Sequence, residues 1–113
     1  MKLAIIIILM MFPLMDFASI PAREYVTQKI IKSVCNLGEL LGCVNFRQGR
    51  ILLDWRLQGN PYWANRIYRH EVGHWITRKW TRDKYIEAGY EDTNVNDIVT
   101  LSEKFARDYE INN

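Results

Sequence analysis

Ile67-Tyr68-Arg69-His70-Glu71-Val72-Gly73-His74-Trp75-Ile76 decides how the rest of this chain is read. Residues four apart on an α-helix lie about 40° apart around the axis and one turn up, so His70 and His74 aim their imidazoles at one point. Glu71 stands about 100° from His70 and flanks that point without occupying it. Two neutral imidazoles with a carboxylate beside them suit a zinc ion and a coordinated water. Zinc lowers the pKa of such a water from about 15.7 toward 7. Glu71 is then expected to take the proton and return it to a leaving amine.

The flanks strengthen this reading. Val72 and Gly73 are uncharged, Trp75 and Ile76 continue an apolar face, and aliphatic Ile67 stands three residues ahead of the first histidine. That arrangement resembles the extended zinc-metallopeptidase pattern. The two histidines are the only ones in the chain, which argues against surface filler. The plainer alternative is an amphipathic helix whose His and Glu face solvent.

The chain has 113 residues, enough for one small domain. With 49% hydrophobic and 25% charged residues and a formal net charge of +2, it has globular composition, and nucleic acid is not expected as a partner. Residues 1–22 stand apart. Lys2 precedes an uncharged apolar run from Leu3 to Met15, Asp16 ends it, and Ala18-Ser19-Ile20-Pro21-Ala22 follows. This pattern predicts a secretory signal peptide, cut after Ala22, ahead of a domain over 23–113. A membrane span usually needs about 17–25 apolar residues, so a retained anchor through residues 3–15 is the alternative. The product is thus expected to be exported, as a secreted or periplasmic protein, or else membrane-anchored. Cys35 and Cys43 fit export and permit one disulfide, two buried free thiols being the other possibility.

Pro21-Ala22-Arg23-Glu24 reads as a helix start, with Tyr25, Val26, Ile30, Val34 and Leu37 at helical spacing. Cys43 to Arg47 and Arg50 to Leu57 read as a half-buried hairpin turned at Gln48-Gly49. Residues 50–57 are the expected strand on which an extended peptide substrate lies, main-chain bonds giving affinity and alternate pockets selectivity. Asn60 caps a helix with Pro61 at its first position, running to about Trp80. Tyr68, Val72, Trp75 and Ile76 form its core side, and Trp63, Ile67, His70 and His74 line the neighbouring face. Arg66, Arg69, Arg78 and Lys79 read as solvated charge. Residues 81–96 read as polar loop with a short strand or turn at Tyr85-Ile86. Asn94 or Asn96 caps a last helix to about Ile111, with Ile98, Leu101, Phe105 and Tyr109 as its apolar stripe. The order of elements predicts a small α+β domain.

A catalytic zinc normally has three protein ligands, and with no third histidine the third must be a carboxylate. Asp83, Glu87, Glu91, Asp92, Asp97, Glu103, Asp108 and Glu110 are the candidates. Glu103 is favoured: it lies 29 residues after His74, far enough for a second helix to return, and sits mid-helix. Asp83, Glu87 and Glu91 are its main competitors.

Ser102-Glu103-Lys104-Phe105-Ala106-Arg107-Asp108-Tyr109 resembles the Glu-x-x-Ala-x-x-aromatic segment of gluzincin zinc peptidases, especially compact ImmA/IrrE-type domains. The resemblance implies a zincin-like fold that hydrolyses peptide bonds in peptide or protein substrates. Its ligands would be His70, His74 and Glu103, its base Glu71, and Ala106 would let the two helices approach. Arg107 stands where related enzymes often carry an Asp or Asn behind a ligand histidine, and Asp108 or Asp97 is the expected substitute. Tyr85, Tyr90 and Tyr109 are the phenols that could steady an oxyanion. The rival readings are an exported binding domain with a structural or lost metal site, and a membrane-tethered peptidase or lysis factor.

Overall fold

In a computed structural model, which describes residues 19–90 and 98–113, Arg23–Val26 is a strand and not a first helical turn. This strand, β1, is followed by helix α1 (Gln28–Cys35), strands β2 (Gly42–Asn45) and β3 (Arg50–Asp54), and a 3-10 turn (Trp55–Gly59). Helices α2 (Pro61–Ile76), α3 (Arg82–Glu87) and α4 (Ile98–Asn112) complete the described residues. The predicted helix start at Pro21 is therefore corrected. Thr27 is the cap of α1, accepting from the Ile30 N–H at 3.4 Å. Upstream of it, β1 pairs in parallel with β3, Arg23 opposite Ile51 and Val26 opposite Asp54. Tyr25 and Val26 fit a pleated surface as well as a helix, and the sheet partner decides between them.

The strand order is β1-β3-β2, with β2 antiparallel to β3. β3 is thus central, and Ile51, Leu52 and Leu53 are all buried. Successive side chains of a strand point to opposite faces. Leu52 packs with Ile31 and Cys43 beneath α1, while Leu53 packs with Leu57 and Ala64 beneath α2. The expected half-buried hairpin with one mixed face is corrected: a strand covered on both sides reads as a continuous apolar run. It also stops earlier than expected. Buried Asp54 caps the 3-10 turn through the Arg56 N–H and holds the Arg56 guanidinium at 2.9 Å. The Arg56 bonds keep the Asp54 carboxyl well below the ordinary range despite its burial. The turn between β2 and β3 spans residues 46–49, with Asn45 Oδ1 accepting from Gln48 N–H and Gly49 at φ +64°.

Cys35 and Cys43 form a disulfide that ties the end of α1 to β2. Closing so short a loop stabilises by about 2–3 kcal/mol through the unfolded state. Reduction should therefore lower the unfolding free energy by that amount and move the urea midpoint down accordingly, which denaturation with and without reductant will measure.

Asn60 caps α2 with its side chain accepting from Trp63 N–H, and Pro61 opens the helix. The helix ends at Ile76, short of the expected Trp80, because buried Thr77 turns its hydroxyl back onto the Gly73 carbonyl at 3.1 Å. Thr81 then caps α3, a helix where loop was expected. The aromatic chain Tyr85, Trp80, Phe105 and Tyr109 joins that region to α4. Helices α2 and α4 cross at Gly73 and Ala106, where a Cβ on Gly73 would come within 2.7 Å of the Ala106 Cα. No helix among the described residues is long and apolar enough to cross a membrane. The expected leader lies outside the described residues up to position 18, as do the expected caps Asn94 and Asn96.

Candidate metal centre

The close crossing sets one face of α2 against one face of α4. His70 and His74 lie on the first, with ring centroids 4.9 Å apart. Glu103 lies on the second, its two oxygens 3.0 Å from His70 Nε2 and 2.9 Å from His74 Nε2. One ligand atom from each residue falls within 4.8 Å of the others, so His70, His74 and Glu103 form a group that could hold a metal ion. Tetrahedral bonds of about 2.0–2.1 Å would place neighbouring donors about 3.3 Å apart, close to the separations observed.

Both Nε2 atoms are aimed by what binds the other ring nitrogen. His70 Nδ1 lies 2.9 Å from Glu110 Oε1. A carboxylate accepts, so Glu110 favours the proton on Nδ1, the tautomer whose Nε2 can ligate a metal placed between it and Glu103. His74 Nδ1 lies 2.8 Å from Ser102 Oγ, which sits 3.3 Å from Thr77 Oγ1. Burial holds the His74 pKa below its ordinary value in spite of the neighbouring Glu103, which favours the neutral, ligating form. Glu110 is fixed in turn by Arg66, whose Nε and Nη2 lie 2.9 and 2.6 Å from Oε2. Burial pushes the Glu110 carboxyl upward, but the bonds from Arg66 and His70 outweigh it and leave it below the usual range.

Glu71 is partly buried beside His70 and Glu103. Desolvation pushes its pKa up to about 7, His70 opposing and Glu103 adding to the rise. It carries no hydrogen bond from another described residue and stands at the edge of the cluster.

Of the other expected carboxylates, Asp83 and Glu87 on α3 are not part of the group. Asp108 accepts instead from Tyr90 Oη at 2.8 Å, and Arg107 reaches Glu103 at 3.7 Å. The expected backing by Asp108 is corrected to Glu110, while Glu91, Asp92 and Asp97 lie outside the described residues. Arg66 and Arg69 are not the solvated charges expected, since Arg69 donates to the Glu110 carbonyl at 3.0 Å. Among the phenols, Tyr85 is fully buried with its hydroxyl toward the Thr77 carbonyl, Tyr90 is spent on Asp108, and Tyr109 packs on Phe105. Sequence reasoning named Glu110 only as a candidate ligand and Arg66 only as solvated charge, and it missed their place behind His70 and that of Ser102 behind His74. The available signal was spacing: Glu110 follows Glu103 by seven residues, which returns it to nearly the same face of one helix.

Glu110→Gln keeps the shape and removes the charge behind His70. Losing such a partner lowers metal affinity by about 10–100-fold, which competition with a chromogenic chelator will measure. Comparisons with protein-family models, curated proteins and solved structures return no match to this chain.

Proposed function

We propose that this protein is a small zinc-dependent endopeptidase of zincin-like design, with His70, His74 and Glu103 as ligands and Glu71 as general base. The observation that carries the reading is the convergence of two Nε2 atoms and one carboxylate, each imidazole backed by its own partner, next to a second carboxyl, Glu71, that binds none of them. Zinc there would supply Lewis-acid polarisation of the scissile carbonyl and an acidified water. Glu71 takes a proton from the attacking water and passes it to the leaving nitrogen. Burial raises the Glu71 carboxyl in the metal-free protein, and a zinc cation beside it would draw it back toward the ionised form that a base needs. Glu110 and Ser102 hold the two imidazoles in one orientation throughout.

The substrate strand is reassigned. Residues 50–57 cannot serve, because β3 has both edges paired. The edge strand beside α2 is β2. Ile67 Cγ2 sits where a Cβ on Gly42 would come within 2.6 Å, and Phe46 stacks on Trp75 at 6.4 Å. β2 therefore runs alongside α2 from the level of Ile67 to that of Trp75, with its outer edge unpaired by any described strand. An extended peptide adds to such an edge. The disulfide supports an oxidising, exported setting, with membrane attachment through residues 3–15 as the variant of that reading.

The test pairs metal analysis of purified protein with cleavage of a peptide library. One zinc per chain and cleavage abolished by chelation, with circular dichroism unchanged, is the expected result. Unfolding on chelation would point to a structural metal instead, and cleavage that survives chelation would remove the mechanism.

A further inference from the structure

A cavity of about 220 Å³ lies behind His74, on the Ser102 side of its ring. Phe46, Ile98 and Val99 contribute apolar wall, and each is about half exposed or more in spite of its size. Thr77 and buried Tyr85 form part of the lining. Arg78 also lines it, lying 3.9 Å over the Trp75 ring and donating to the Trp75 carbonyl. The cavity shares His74 and Ser102 with the candidate metal centre, and Phe46, the residue after β2, sets it next to the end of that edge strand.

The direction of the peptide follows from the strand. β2 advances in the same sense as α2, from Gly42 at Ile67 to Phe46 at Trp75. Antiparallel pairing is the commoner arrangement, and it places the N-terminal half of a bound peptide at the Phe46 end. We propose that this cavity is the subsite for a side chain on the N-terminal side of the scissile bond, and that it selects an apolar one. The inference rests on the endopeptidase reading for its scissile bond, but the cavity and the edge strand are independent of it. Burying one aliphatic or aromatic side chain favours it over a small or polar one by about 10–100-fold. The guanidinium of Arg78 at the wall disfavours lysine or arginine there.

Two measurements test this on the full chain. The zinc-loaded protein is given a degenerate peptide library and the cleaved ends are sequenced. Separately, peptides carrying a central Leu or Asn are titrated against metal-free protein, with amide shifts of Thr77 and Ser102 as the readout. Val99→Asp is the variant; Val99 is 72% exposed, so the change leaves the core intact. The expected result is enrichment of Leu, Phe or Met N-terminal to the cut, tighter binding of the Leu peptide, and loss of both preferences by tenfold or more in the variant. A library left uncut, with the binding preference present and erased by Val99→Asp, would keep the subsite and remove the hydrolase. Enrichment only on the C-terminal side, no enrichment, equal binding of the two peptides, or preferences unmoved in Val99→Asp would each overturn the subsite.

Discussion

Glu71→Gln should retain zinc and lose turnover by about 10²–10⁴-fold, the contribution of a positioned general base. The amide matches the carboxylate in shape and cannot accept the proton. Zinc content and kcat/KM on one peptide check the two halves, and comparable turnover in the variant refutes the role. A second consequence reads out without any substrate. In the metal-free protein the Glu71 pKa is raised from 4.5 to about 7 by burial. Between those values the folded chain holds a proton that the unfolded chain releases. Stability is therefore undiminished by this group below about pH 4.5 and falls as pH rises through the window to about 7. Glutamine does not titrate. Metal-free Glu71→Gln should thus gain on the parent by up to about 3 kcal/mol at pH 8 and by nothing near pH 4. Urea melts across pH with chelator present will show it, and a constant difference at all pH values would remove the cause given.

Gly73→Ala should destabilise the fold and strip the metal together. Alanine raises intrinsic helix propensity by about 1 kcal/mol, so on an isolated helix the change would help. Here its methyl would meet the Ala106 Cα at 2.7 Å and its Cβ at 3.2 Å. These are atoms at the axis of the neighbouring helix, and only movement of α4 relieves the contact. Overpacking of this kind costs about 1–3 kcal/mol, so after the gain in propensity a net loss of up to about 2 kcal/mol is expected. Because Glu103 and Glu110 ride on α4, the same movement withdraws the proposed third ligand and the partner of His70. Zinc affinity should fall by more than tenfold, which no propensity argument predicts. Thermal melts and zinc titration of the single variant test both, and unchanged affinity would show that the crossing does not set the site.

His70, Glu71 and His74 were legible because a helix of 3.6 residues per turn converts spacing in the chain directly into position in space. The cap and start of α2 at Asn60-Pro61 were legible for the same local reason. β1 was not: its four residues suit helix or strand about equally, and the open edge of β3 settled the matter. α3 was missed because six residues carry too little periodicity to stand out from loop.

By itself, the sequence determined which residues have the chemistry: two imidazoles one turn apart, a carboxyl beside them, and a short list of acids from which a third ligand could come. Only the tertiary structure brought Glu103, alone of those acids among the described residues, against both imidazoles, set Glu110 behind His70, and made β2 the open edge beside α2. The physical reason is distance along the chain. Within one helix the backbone dictates which side chains meet, whereas residues some 30 or 40 positions apart, such as His74 with Glu103 and His70 with Glu110, meet only where a glycine and an alanine let two helices touch.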